Sequence, residues 1–361
     1  MLRGHLNFTD RITSIDSDSG AGDDYILPGF IDLQVNGSHG IDVMTAAPEL
    51  LLTLARRLAS EGTIAWMPTA VTAPLEKIAR VHRNIASAIE TSSHDSAETV
   101  PDYAAMLGMH LEGPFISPLR LGAHPALNLD PRGEAFETVL AMDALRLITL
   151  APELPGAIDA TKRLTARGVI VSIGHTNATL DEANAGIAAG ARMFTHLFNA
   201  MRPLNHRDPG VIAAALAPSR AFAAIIPDGV HVHPSILNLA YRARGRDGLI
   251  LVTDKVVLAG TADSASVTVG RAPATIRDGA VRLSNGTLAG SIISMLDGVR
   301  MIVENTDATI GDAAVMASTN PAILLGIPDR GRLEPNARAD LVVLSPNLEL
   351  KSVFIGGHEI A

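Results

Sequence analysis

Met109-His110-Leu111-Glu112-Gly113-Pro114, Ser172-Ile173-Gly174-His175-Thr176, Met193-Phe194-Thr195-His196-Leu197 and Leu251-Val252-Thr253-Asp254 share one form. In each, an apolar run with strand character stops at a single Glu, His or Asp. A parallel barrel offers side chains in this way, one from the end of each strand. On that pattern Glu112, His175 and His196 read as metal ligands and Asp254 as an acid/base. Spacing alone is a weak guide, because no local pair of the H-x-x-x-H kind links the three. A lone buried histidine is as a rule a satisfied core residue, and Asp254 reads equally well as a turn or cap aspartate. Two neighbours strengthen the ligand reading. Gly174 permits close approach of backbone to a ligand, and a carboxylate at Glu112, between an apolar run and Gly113-Pro114, is costly to bury unpaired. Two His and one Glu also form a common catalytic zinc set with open positions.

Around these stretches the chain alternates between strand-like and amphipathic helical segments. Strand character falls at 27–35, 63–69, 105–111, 145–150, 169–173, 191–195, 221–226 and 249–253. Helical periodicity falls at 48–60, 75–90, 133–142, 157–166, 180–189 and 234–244. Alternation of this kind argues for a parallel sheet covered on both faces. A count of eight strands argues for a closed (β/α)8 TIM-like barrel, an α/β fold with its site at the C-terminal strand ends. The two chain ends read differently. Residues 1–27 and 331–361 hold short strands with polar turns, neither set able to bury a sheet face alone. Together they are expected to form a small β-sandwich domain, leaving 28–330 as the catalytic barrel. A β-hairpin insertion is expected at 265–288, on the turn Asn285-Gly286.

Composition narrows the chemistry. The 361 residues are 47% hydrophobic, enough for one large domain and a small one. A net charge of −9 argues against nucleic acid or an anionic membrane surface as partner. With no cysteine and twelve histidines, any metal is held by His, Asp or Glu. The first residues lack the apolar core of a signal peptide, and no apolar run is long enough to cross a bilayer. A soluble cytoplasmic protein is expected.

Two further segments carry chemistry. In Asp228-Gly229-Val230-His231-Val232-His233, His231 is expected to point into the site, and His233, just before Pro234, to be peripheral. The polar loop from Asn199 to Gly210 holds Arg202 and Arg207, residues suited to a phosphate; a solvated surface arginine is the bland alternative.

The ordered set of motifs resembles the N-acetylglucosamine-6-phosphate deacetylase family of the amidohydrolase superfamily. It runs through Leu27-Pro28-Gly29-Phe30-Ile31-Asp32, His110-Leu111-Glu112-Gly113-Pro114, Gly174-His175-Thr176-Asn177-Ala178-Thr179, Thr195-His196-Leu197-Phe198-Asn199-Ala200-Met201, Asp228-Gly229-Val230-His231, Val252-Thr253-Asp254 and Gly286-Thr287-Leu288-Ala289-Gly290-Ser291. The resemblance implies that Glu112, His175 and His196 hold the metal and that Asp254 is catalytic. It adds His124, which polarises the acetyl carbonyl, and Asn199, Ala200, Arg207 and His231, which grip a sugar phosphate. It implies a homodimer acting on a phosphorylated amino sugar. Asp254 then takes a proton from the attacking water and passes it to the departing amine. Where many superfamily members carry His-x-His, this chain has Gln34-Val35-Asn36. Neutral amides are poor ligands for a second zinc, so one divalent metal per chain, zinc, is expected, with His39 a remote substitute ligand. Lys255 departs from the small residue expected after Asp254; strand alternation is expected to turn it away. Rival readings are the galactosamine 6-phosphate epimer, another N-acyl amidohydrolase, and a non-catalytic amino-sugar-phosphate sensor.

Overall fold

The computed structural model describes residues 3–95, 102–262, 265–269 and 272–361. Eight parallel strands follow one another in chain order: β1 (Phe30–Val35), β2 (Thr63–Val71), β3 (Met109–Glu112), β4 (Leu145–Leu150), β5 (Ile170–Ile173), β6 (Met193–Phe194), β7 (Phe222–Ile225) and β8 (Leu249–Leu251). They are almost wholly buried and rich in branched apolar residues, as strands covered on both faces must be. The ring closes where the chain leaves β8. Val35 forms a parallel bridge with Lys255, whose carbonyl accepts the N–H groups of Asn36 and Gly37. Below that bridge, Thr253 Oγ1 donates to Asp32 Oδ2 at 2.5 Å, and the Thr253 N–H donates to Asp32 Oδ1 at 3.2 Å. The barrel is thus shut by both backbone and side-chain bonds.

Helices cover the outside for reasons visible in the sequence. Pro48–Ser60 starts with proline in its first turn and buries Leu51, Leu54, Ala55, Leu58 and Ala59, one apolar stripe of a 3.6-residue period. Leu180–Ala188 begins on a reciprocal cap between Thr179 and Glu182, and Met295–Asn305 on one between Ser294 and Asp297. The helix that follows β8 comes only at Met295, after an insertion.

Three expected segments differ from what is observed. The run 27–35 is two strands in different sheets, Tyr25–Pro28 and β1, parted at Gly29. A Cβ on Gly29 would lie 2.5 Å from Ile64, so only glycine allows this close crossing. The run 105–111 is broken at Gly108, whose φ of +113° suits glycine. The insertion is a four-stranded antiparallel sheet, in the order Ser266–Val269, Ala272–Arg277, Ala280–Leu283, Leu288–Ser291; positions 263–264 and 270–271 lie outside the described residues. Its last strand, Leu-Ala-Gly-Ser, has low strand propensity and is held by pairing with its neighbour.

Antiparallel sheets from the two chain ends complete the molecule. Tyr25–Pro28 pairs with Leu341–Leu344, which pairs with Leu350–Ile355 and then His358–Glu359. Gly4–Phe8 and Ile12–Ser17 form a second, two-stranded layer. The layers meet at an edge-on contact of Phe8 with Phe354, centroids 5.4 Å apart, within a small core of Ile12, Ala337, Ala339 and Leu341.

Lys255 is turned away from the neighbouring aspartate. Its side chain is 3% exposed, and Nζ donates to Glu61 Oε2 at 2.6 Å, in the residue that ends helix Pro48–Ser60. His39 Nε2 lies 3.4 Å from the other oxygen of Glu61, so His39 belongs to this pair at the barrel seam. Removing one partner of a buried pair strands the other charge. Glu61→Gln is therefore expected to cost on the order of 3 kcal/mol, while Lys255→Met stays within about 1 kcal/mol of the parent. Urea unfolding midpoints at constant slope measure both, and equal losses would show that the charge of Lys255 is not what Glu61 neutralises.

Candidate active site

The strand ends are bent to present the site. His175, His196 and Asp254 have φ of +46°, +29° and +49°, the left-handed region that side chains other than glycine rarely adopt. Backbone strain of this kind collects at functional positions because the surrounding fold must hold it there. Ahead of His175, Gly174 packs so tightly that a Cβ would sit 2.7 Å from Thr195 Cβ and 2.8 Å from Thr149 Cγ2. Under the rim runs a buried chain of hydroxyls. Ser172 Oγ lies 2.5 Å from Thr195 Oγ1, which lies 2.8 Å from Thr149 Oγ1, which meets His110 Nε2 at 2.8 Å. Burial pushes His110 down to about 4, so it stays neutral.

Glu112, His175 and His196 converge on one point. Glu112 Oε1 is 3.2 Å from His175 Nε2 and 2.9 Å from His196 Nε2, and the two nitrogens are 3.1 Å apart. His175 Nδ1 lies 2.9 Å from the carbonyl of Arg120 and so carries its proton there, which leaves Nε2 a bare lone pair. A bare lone pair beside a carboxylate oxygen and a second imidazole nitrogen is a donor set suited to a cation. The donor set thus fits a divalent metal, and it is the one His/Asp/Glu group of this form among the described residues. Burial would raise the carboxyl of Glu112, but the imidazoles of His124, His175 and His196 gathered around it outweigh that and hold it well below its usual range.

Asp254 faces this group from the seam. Its Oδ1 accepts Asn36 Nδ2 at 2.7 Å and Gln34 Nε2 at 3.1 Å; Gln34 Nε2 also reaches Glu112 Oε1 at 3.0 Å. Burial first, and then the charge of Glu112, push Asp254 up to about 7. Opposite it, His124 Nε2 stands 3.6 Å from Glu112 Oε2, and its Nδ1 meets Thr72 Oγ1 at 2.9 Å.

These residues form the floor of a cavity of about 830 Å³. Asn199, Ala200 and His231 line it, as do Gly122 and Ala123, the segment Gly286–Gly290 of the inserted sheet, Lys77 and Arg282. Asp228 Oδ2, 2.6 Å from His231 Nδ1, holds that ring in place. His233 is exposed, and its Nδ1 accepts the N–H of Ser235 at the start of helix Pro234–Arg244. The structure therefore brings Glu112, His124, His175, His196, Asn199, Ala200, His231 and Asp254 to one cavity. It does not bring Arg207 there. Arg207 is on an exposed loop, with Nη1 3.0 Å from His206 Nε2, and is not among the lining residues.

Thr72 was missed by the sequence reading. It directly follows β2, so the strand-end pattern that flagged the other residues pointed to it as well. Lys77 and Arg282 left no such signal: one opens a surface helix and the other lies in a sheet that only the fold brings over the cavity.

Comparison with known proteins gives a consistent answer. The profile of the amidohydrolase family matches residues 25–360. An N-acetylglucosamine-6-phosphate deacetylase from Bos taurus is 39% identical over 349 residues, covering 92% of this chain and 82% of that protein. An N-acetylgalactosamine-6-phosphate deacetylase from Escherichia coli O157:H7 is 36% identical over 337 residues, covering 92% and 87%. A Mycobacterium smegmatis N-acetyl-D-glucosamine-6-phosphate deacetylase, solved as a mutant in complex with N-acetyl-D-glucosamine-6-phosphate, superposes with a TM-score of 0.88 at 31% identity, covering 98% of this chain and 93% of that one. The fold, the converging Glu112, His175 and His196, and these likenesses agree: the chain belongs to the amidohydrolase family, and within it to the N-acetylglucosamine-6-phosphate deacetylases.

Proposed function

We propose that this chain hydrolyses N-acetyl-D-glucosamine 6-phosphate to D-glucosamine 6-phosphate and acetate, with one divalent metal, zinc, held by Glu112, His175 and His196. The observation that carries the reading is the meeting of that ligand set with Asp254 and His124 on the floor of one cavity. The bound metal supplies Lewis acidity toward the acetyl carbonyl and acidifies the attacking water. Asp254 takes the proton of that water and returns it to the amine nitrogen as the C–N bond breaks. His124 donates from Nε2 to the carbonyl oxygen as charge builds on it. Asn199, Ala200 and His231 hold the sugar phosphate, and that remote binding orients the amide over the floor.

Arg207, exposed and outside the cavity, enters this proposal as a phosphate contact on the strength of the motif resemblance. The protein acts in the proposal as a homodimer, and its cysteine-free sequence suits a cytoplasmic location. No helix among the described residues is long and apolar enough to cross a membrane. A second reading, action on the galacto epimer, is supported by the Escherichia coli relative.

Acetate release from the two N-acetylhexosamine 6-phosphates and their unphosphorylated forms tests the assignment. The gluco 6-phosphate is expected to give the highest kcat/KM, and release from neither phosphate would reject it. Asp254→Asn is expected to keep the fold and one metal per chain while losing at least about 10²-fold in turnover. Near-normal turnover, or two metals by elemental analysis of the parent, would contradict the mechanism. Arg207→Ala is expected to raise KM for the phosphorylated sugar and to leave the unphosphorylated analogue unchanged; an equal effect on both removes Arg207 from phosphate binding.

A further inference from the structure

Gln34 is fully buried and Asn36 partly so, and each spends its amide in the same way. Both nitrogens face carboxylates: Asn36 Nδ2 is 2.7 Å from Asp254 Oδ1, and Gln34 Nε2 is 3.1 Å from the same atom and 3.0 Å from Glu112 Oε1. Electrostatics fixes this orientation, because turning either amide over would set a carbonyl oxygen against a carboxylate oxygen at the same distance. The consequence is that Gln34 Oε1 and Asn36 Oδ1 are buried with no hydrogen-bond partner among the described residues. Unpaired buried polar groups are rare, and one recurrent cause is a functional demand on the rest of the side chain. Here the demand converges on one atom, Oδ1 of Asp254; among the described residues no donor reaches Oδ2.

We propose that Gln34 and Asn36 are positioning residues for the acid/base. Their amides pin Oδ1 of Asp254, so that Oδ2 is the oxygen that receives the proton of water and returns it to the departing amine. Gln34 also places its amide nitrogen between the two carboxylates, within 3.1 Å of Asp254 Oδ1 and 3.0 Å of Glu112 Oε1. The pair thereby does with two neutral donors what a second cation between the carboxylates would do. The inference rests on Asp254 being the acid/base, as in the function proposed above.

Gln34→Met and Asn36→Leu remove the donors while keeping side-chain size, and Asn36→His keeps an N–H at nearly the same place. For Gln34→Met and Asn36→Leu, kcat is expected to fall by about 10- to 100-fold, within the range of general acid/base catalysis. KM is expected to change less than about threefold, since these residues act on proton transfer and not on ground-state binding. One metal per chain is expected to remain, and Asn36→His to recover most of the turnover. Crystal structures of the two donor-less variants are expected to show the Asp254 carboxylate rotated from its present plane. Unchanged kcat in both, or loss of metal together with turnover, would overturn the assignment, the latter by making Gln34 a ligand. If the parent enzyme releases acetate from neither epimer, the functional reading falls on its own. The Asp254 orientation then decides the positioning role: rotated in the variants upholds it, unmoved overturns it.

Discussion

The closure between the first and last barrel strands is the constraint on which the rest depends. It rests on Asp32, buried at the seam, whose two oxygens take the hydroxyl and the N–H of Thr253 and the N–H of Gln34. Burial pushes this carboxyl up to about 6, so it is held in a costly place. In return the seam fixes the register of β1 against the exit of β8. That register sets Gln34 and Asn36 beside Asp254. A slip of one residue would turn the amides away and present Leu33 and Val35, or Val35 and Gly37, in their place.

Around the rim, the site is an electrostatic arrangement with one unmet need. Glu112 Oε1 and two imidazole nitrogens crowd within hydrogen-bond distance of one another, and one imidazole has its proton committed to the Arg120 carbonyl. A cation answers that need, and the surrounding fold holds the positive φ of His175, His196 and Asp254 that turns these strand ends to the rim. The hydroxyl chain from Ser172 to His110 supports it from beneath without adding charge.

Much of this was legible in the chain because strand-end position is a local property. Glu112, His175, His196 and Asp254 each terminate a buried run, and a parallel barrel sends every such end to one rim. The helix Pro48–Ser60 was legible to the residue, since its proline start and apolar period are both local. Illegible features depended on contact between distant segments. The strand Leu288–Ser291 has little strand propensity and exists by pairing. Lys255 was expected to turn away from Asp254, but the partner that takes its charge, Glu61, 194 positions away, left no mark in the chain. Arg207 carried a motif position but not a place in the cavity, because the motif does not say which way an exposed loop leans.

By itself the sequence determined the barrel, its covering helices, the residue types at the strand ends and the family, since hydrophobic period, turn chemistry and ordered motifs are written along the chain. It also determined that two amides occupy the end of the first strand. Tertiary structure alone decided what those amides do. Whether Gln34 and Asn36 are failed ligands or donors depends on which atoms face them, and only the closed seam brings Asp254 and Glu112 within about 3 Å of their nitrogens. Hydrogen bonding acts over that distance and no further, so no reading of spacing along the chain can replace it.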